Sequence, residues 1–208
     1  MNLTKFYFSF DKLTIHLKDN ILPENNRKPA KGTLLVSSPL IEDFFRRTVI
    51  LITEHNDVGS VGFVLNAKLT VTLGEAIPEL ETMNSDLYLG GPVQRELLNF
   101  LHKIPDIIEG GYEVADGIYW GGNYEILKIL ADSGEIKNDD ITFFLGYSGW
   151  APGQLEDELA LNTWYVTDAK AEDIFHKSPE VNLWRKVLKR MGGNFNIISS
   201  FPDDPSMN

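Results

Sequence analysis

"TVILITEHNDVGSVGFVLN", Thr48 to Asn66, holds two runs rich in β-branched and large apolar residues, Thr48–Glu54 and Val61–Asn66, separated by "HNDVGS". Two such runs joined by a short Asn/Asp/Gly loop predict a β-hairpin. "TLLVS" (33–37) precedes it with the same composition. Similar runs predict strands at Leu87–Leu89, Leu97–His102, Ile118–Trp120, Ile141–Tyr147 and Thr163–Val166.

Helical signals are fewer. They fall near Leu73–Ile77, at Tyr124–Ala131 and after Trp150. In the third of these, Pro152 suits a first turn, where its missing N–H costs nothing. Glu156, Asp157 and Glu158 then sit early in the helix, against the positive end of its dipole. Leu155 and Leu159, one turn apart, give it an apolar stripe. A last helix has Ser178 as cap, Pro179 in its first turn and Gly192-Gly193 at its end. Its apolar face is Trp184, Val187, Leu188 and Met191, at i, i+3, i+4 and i+7. Hairpins mixed with short helices, without strict strand–helix alternation, predict an α+β fold.

Residues 1–31 read as a leader that packs on a body formed by 32–208. Phe6, Phe8 and Phe10 alternate as in a strand, and "ENNRKPAKG" is a polar connector. "LYLGGPV" (87–93) and "IYWGGNY" (118–124) echo one another as short aromatic strands ending in Gly-Gly. They are too short to establish a duplication.

With 208 residues, 43% of them hydrophobic, one domain with a sizeable core is expected. The formal net charge of −11 works against non-specific attraction to DNA or anionic membranes. Basic residues still cluster locally at Arg27/Lys28/Lys31, Arg46/Arg47 and Arg185/Lys186/Lys189/Arg190. The last cluster reads as the solvent face of the C-terminal helix, its final pair complementing the dipole. The chain has no cysteine, which excludes disulfides, thiol catalysis and thiolate zinc sites. No apolar run approaches the ~18 residues of a membrane span, and no signal-peptide core is present at the N-terminus. A cytoplasmic protein without membrane attachment is the expectation.

"GYSGWAPGQLEDEL" (146–159) is the stretch that most resembles a working part. A nucleophile elbow needs Gly-x-Ser-x-Gly, but here the frame is Gly146-Tyr147-Ser148-Gly149-Trp150. The second glycine comes one place early and an indole fills its slot. The expected role is a tight strand-to-helix turn, with hydrolase chemistry at Ser148 as the rival reading. His16, His55, His102 and His176 show no metal-ligand spacing, so no metal and no cofactor are expected. Gly90-Gly91 and Gly121-Gly122 end strands, where consecutive backbone amides can cradle an anion, although neither matches a nucleotide fingerprint. No helix-turn-helix, zinc finger or aromatic RNA-binding motif is present.

Taken together, "GTLLVSSP" (32–39), "FRRTVILITEHNDVGSVGFVLN" (45–66), "GGPV" (90–93), "LH" (101–102), "GYSGWAPGQLEDEL" (146–159) and "TWYV" (163–166) resemble the AlgH/YqgE-like family of bacterial proteins. The pieces run in the family's order over about residues 32–192. Two places depart from its pattern. Glu42-Asp43 precede Phe44-Phe45 where the family often has Asp-Pro, and Ala67-Lys68 follow Asn66 where Arg/Lys-Pro is usual.

The resemblance implies a single α+β domain whose curled, bifurcated, mostly antiparallel sheet forms a pseudo-barrel with flanking helices. It also carries a transcriptional-regulator label, which stems from a genetic link to alginate synthesis in one branch. Neither the charge nor the motifs of this chain support direct DNA reading, so regulation is expected to be indirect. The leading expectation is a non-enzymatic regulatory or binding protein that takes a protein partner or a small anion. Its site is expected where Arg47, Thr48, His55, Asn66, Gly90, Gly91, Tyr147, Ser148 and Gln154 converge, unless these residues are structural. An arginine beside glycine amides suits an anion or a partner's carboxylate.

Overall fold

The hairpin at 48–66 is the sheet's second and third strands, β2 (Val49–Asn56) and β3 (Gly59–Val64), in a computed structural model that describes residues 22–23, 26–175 and 181–202. Only Asp57 and Val58 separate them. The Asn56 side chain accepts the Val58 N–H at 2.9 Å, forming a local turn that lets "HN" remain in the strand. The loop is therefore shorter than the sequence signal.

Around the hairpin lie β1 (Thr33–Ser37), β4 (Lys68–Thr72), β5 (Asp86–Leu89), β6 (Val93–His102), β7 (Tyr112–Ala115), β8 (Ile118–Trp120), β9 (Ile141–Trp150) and β10 (Trp164–Asp168). The hydrogen-bonded order is β10-β1-β2-β3-β9-β6-β8-β7, with β5 joining β9 and carrying β4. All pairings are antiparallel except β5 on β9. The sheet curls until its β7 edge returns to the start of β1, where Lys31 Nζ donates to the Glu113 carbonyl at 2.9 Å. The result is a half-barrel in a single α+β domain.

The fork lies in β9. Phe143–Leu145 pair in parallel with Leu87–Leu89 of β5, whereas Ser148–Trp150 pair with Ser60–Gly62 of β3. Between the two stretches stands Gly146 with φ of 68°, a backbone state that L side chains rarely adopt. That local kink allows one strand to serve two neighbours on the same side. Gly91 packs against the kink so closely that an added Cβ would lie 2.2 Å from the Tyr147 carbonyl carbon.

Strand alternation sorts the apolar residues. Leu34, Val36, Val49, Leu51 and Phe63 enter a core inside the curl, together with Tyr165 and Trp184. Leu35, Ile50, Ile52 and Val64 face the other way, onto Trp150, Trp164 and Leu155. This two-sided burial explains why "TLLVS" and "VILI" are continuous apolar runs. A third cluster gathers Phe100, Phe143, Leu127 and Ile108 near the β5–β6 end.

The helices are α1 (Leu73–Ala76), α2 (Tyr124–Ser133), α3 (Gln154–Ala160), α4 (Ala171–Ile174), α5 (Leu183–Met191) and α6 (Phe195–Ser199), with a 3-10 turn at Pro78–Leu80. α3 starts later than the sequence suggests. β9 runs through Trp150, and Gly153 caps the helix with φ of 77°, so Pro152 lies before the cap instead of in the first turn. α5 is capped by Asn182, whose Oδ1 accepts the Arg185 N–H at 3.1 Å; this replaces the cap expected at Ser178. Its apolar face is as read, with Trp184, Val187 and Leu188 buried.

Phe6, Phe8, Phe10, His16, His176, Ser178 and Pro179 lie outside the described residues, as does most of the leader. Of the leader, Leu22 packs on the inner core and Arg27 pairs with Asp168 through Nη1 and Oδ2 at 2.8 Å.

Candidate functional site

Three groups result from the nine candidate residues, not one. The first centres on Arg47. Its backbone is left-handed (φ 53°), a state that costs a non-glycine residue ~1 kcal/mol or more. Neighbours hold it there. Asn66 Nδ2 donates to the Arg47 carbonyl at 2.8 Å, and Asn66 Oδ1 accepts the Val49 N–H at 2.9 Å. Thr48 Oγ1 donates to the Phe45 carbonyl at 2.9 Å, and the Thr48 N–H donates to Ser37 Oγ at 2.9 Å. The guanidinium so aimed lies 4.6 Å from the centroid of the Trp184 ring. Its Nη2 donates to the Phe201 carbonyl at 3.2 Å and to that of Pro202.

The second group is the fork. Gly90 is fully committed to the sheet: its N–H donates to the Leu145 carbonyl at 2.8 Å, and its carbonyl accepts the Val64 N–H at 2.8 Å. Its amide is thus turned inward, and the glycines serve close backbone packing. Ser148 is 1% exposed, and its Oγ donates to the Gly90 carbonyl at 3.2 Å. Being inside β9, it sits on no strand-to-helix elbow. Tyr147, half-buried, faces the groove that Glu54, Val61 and Val93 line.

The third group lies where the far end of β2 meets α3. His55 Nδ1 and Ser60 Oγ are 2.8 Å apart, and Nε2 faces Glu156 Oε1 at 3.5 Å. Gln154 joins the start of its own helix to Glu158, through an amide N–H from Ala151 at 3.1 Å and a bond to Glu158 Oε1 at 3.0 Å. Arg47 precedes β2 and His55 nears its far end, about 25 Å away at the usual rise per strand residue. These two groups cannot share one small ligand.

Three contributors were missed by sequence reasoning. Arg185 was read as part of a solvated helix face, but its Nη1 donates to the Ser199 carbonyl at 2.7 Å and its Nη2 to the Phe201 carbonyl at 2.9 Å. Arg190 likewise reaches inward, to the fully buried Asp173, at 2.7 and 2.8 Å. Helical periodicity shows which side of α5 is apolar. It does not show that α4 and the chain after α6 fold back over its polar side. The third missed residue, Glu158, accepts both indole N–H groups of Trp150 and Trp164 on Oε2, at 2.9 and 2.8 Å. Its spacing from Gln154, four residues on the same helix, was the available signal.

His102 is completely buried and electrically quiet. Its Nε2 lies 3.0 Å from the Gly121 carbonyl and must carry the proton, while Nδ1 accepts the Ile104 N–H at 3.3 Å. Burial pulls its pKa below the usual histidine value, against the smaller opposing effect of the Gly121 carbonyl. Among the described residues, no group of three or more His, Asp or Glu side chains is arranged to hold a metal ion. Among them, too, no helix is long and apolar enough to cross a membrane.

The AlgH-like family model (DUF179) matches residues 34–196, which takes in the fork, the hairpin and all three groups. The chain belongs to the AlgH-like family. Its AlgH-like relatives include a UPF0301 protein of Cytophaga hutchinsonii, 42% identical over 180 residues, covering 86% of this chain and 98% of that one. A UPF0301 protein of Chlorobium limicola is 41% identical over 181 residues, covering 87% and 96%. Among solved structures, a crystal structure of a Corynebacterium diphtheriae protein aligns with TM-score 0.72 and 27% identity, covering 88% of this chain and 96% of that one. The solution structure of AlgH from Pseudomonas aeruginosa aligns with TM-score 0.67 and 25% identity, covering 88% and 100%. This AlgH-like chain thus shares both sequence and fold with its family along nearly its whole described length.

Proposed function

We propose that this AlgH-like protein is a non-enzymatic binding protein of the cytoplasm, which influences regulation through a bound partner and not by reading DNA. The observation that supports this is the state of Ser148. A nucleophilic serine needs an exposed Oγ beside an oriented base. Here the hydroxyl is 1% exposed and spends its proton on the Gly90 carbonyl. The two described histidines are engaged elsewhere, His55 with Ser60 and Glu156, His102 with Gly121 and Ile104. Against that background, Arg47 is the polar group best suited to recognition, because a guanidinium stacked on an indole presents a rigid fork to an acceptor.

The test is a panel of ester and phosphoester substrates offered to the wild type and to Ser148→Ala. No turnover is expected from either. Turnover by the wild type that disappears in Ser148→Ala, with an unchanged melting temperature, would reverse the reading. Titration of promoter DNA at low salt, where phosphate contacts are strongest, should likewise show no binding, in keeping with the net charge of −11.

A further inference from the structure

We infer that the groove at the turn end of the β2–β3 hairpin binds one basic side chain, a lysine or arginine carried on an extended peptide of a partner protein. The inference rests on the reading of this chain as a binding module and supplies the partner's chemistry.

Strand register builds the groove. Glu54 of β2 stands opposite Val61 of β3, and Val61 stands opposite Gly149 of β9. Val93 of β6 pairs with Tyr147 on the other side of β9. A bulge between Ile52 and Glu54 brings the carboxylate into this row, and bulges commonly re-aim a side chain beside a site. Two strand spacings, about 10 Å, separate Glu54 from Gly149. A long basic side chain covers that span with its stem on Val61 and its cation at Glu54.

Gly149 is the unusual member. Its φ lies outside the left-handed region, and an added Cβ would meet nothing closer than Tyr147 Cε2 at 3.4 Å. Neither backbone nor packing therefore requires glycine here. Glycine weakens a strand interior, and it often marks a surface that a ligand or another chain approaches closely. With no side chain at 149, Val61, Val93 and Tyr147 wall a groove of about 190 Å³. That is smaller than ordinary ligand pockets, which begin at roughly 300 Å³, and it suits one long side chain.

The polar groups select the occupant. Glu54 is exposed, its carboxylate has no hydrogen bond or ion pair among the described residues, and no basic residue lines the groove. Lysine and arginine lay their stems along apolar surface while the charged head stays at the rim, and an aromatic ring attracts that head. The net charge of −11 adds a long-range pull on a basic partner. Asn56 favours a peptide over a free amine. Its Oδ1 is taken by the Val58 N–H at 2.9 Å, which leaves its side-chain N–H groups to donate to a peptide carbonyl. Val58, 82% exposed at the rim, offers the peptide's flanking residues an apolar contact.

The experiment follows the amide chemical shifts of the full-length chain as acetyl-Ala-Ala-Lys-Ala-Ala-amide is added. Saturable shifts are expected at Glu54, Val61, Val93 and Gly149. Norleucine in place of the lysine should bind about fivefold more weakly, the upper range for a partly exposed ion pair. Only the lysine peptide should weaken as salt rises. Glu54→Gln, with an otherwise unchanged spectrum, should lose the same factor. Glu54→Lys should prefer acetyl-Ala-Ala-Glu-Ala-Ala-amide to the lysine peptide. n-Butylammonium, which has the stem and the charge but no peptide carbonyl, should bind clearly more weakly.

No shift at these amides, or equal binding of the lysine and norleucine peptides, would overturn the proposal. n-Butylammonium matching the peptide would also overturn it, making the groove a small-amine site. Shifts at the same amides on concentrating the protein alone would overturn it in favour of a second copy of the chain. Failure here leaves the broader reading standing, whereas turnover in the hydrolase screen removes that reading whatever the peptides do.

Discussion

The indole N–H of Trp164 donates to Glu158 Oε2 at 2.8 Å, and that same oxygen takes the indole of Trp150 at 2.9 Å. One carboxylate on α3 thus bonds to two aromatic residues of the sheet, from β9 and β10. The face it joins is apolar: the two rings meet edge to face at 6.2 Å. Removing the acceptor strands two largely buried donors, so Glu158→Ala should cost about 2–4 kcal/mol, and Glu158→Gln, which keeps an acceptor, clearly less. Urea denaturation of both variants checks this; equal losses would mean that charge, not hydrogen bonding, holds α3.

Gly91 and Gly149 are chemically identical and should respond to alanine to very different degrees. A Cβ at Gly91 would meet the Tyr147 carbonyl carbon at 2.2 Å, with no flexible side chain to yield. At Gly149 the nearest atom is Tyr147 Cε2 at 3.4 Å, an ordinary contact. Gly91→Ala is expected to lose ~3 kcal/mol or more, as backbone overpacking does, while Gly149→Ala should stay within ~1 kcal/mol. Melting temperatures of the two proteins decide it.

The burial of neutral His102 makes stability depend on pH. Its folded-state pKa is lowered below 6.5, so the unfolded chain binds the proton first as pH falls. Stability from this group is complete above about pH 6.5 and declines below it, by up to ~1.4 kcal/mol per pH unit until the folded pKa is reached. His102→Gln, which can still donate to the Gly121 carbonyl, should flatten the melting-temperature profile between pH 5 and 7. An identical acid slope in the variant would place the sensitivity elsewhere.

Asp173 is fully buried and receives Arg190 Nη1 on both oxygens, at 2.8 and 2.7 Å, with Lys186 Nζ 3.5 Å away. Asp173→Ala leaves these cations facing each other beneath α4 and should cost about 3–5 kcal/mol. The double variant with Arg190→Met should recover part of that loss, which a double-mutant cycle measures.

Much of the fold was legible in particular residues. The β1 to β3 pattern, the Leu73 and Tyr124 helices and the Trp184 stripe depend on local alternation or helical spacing, which a linear chain displays directly. β4 and β7 were missed because "KLTVT" and "YEVA" are short, half-polar strands, completed by pairing more than by propensity. α4 and α6, of four and five residues, fall below the length at which periodicity can be read. The end of β9 was read as a turn because glycine and serine usually punctuate chains; in the sheet, Gly146 instead kinks a continuous strand.

By itself the sequence determined the hairpin, the α+β class, the family and the absence of thiol chemistry, since each follows from composition or from spacing over a few residues. Tertiary structure alone decided that Ser148 is sealed, that Gly90 turns its amide into the sheet and that Arg185 meets Arg47 over the carbonyl of Phe201. Those facts join residues up to 154 positions apart. Such long-range pairing is set by how the curled sheet folds back on itself, which no local window of the chain contains.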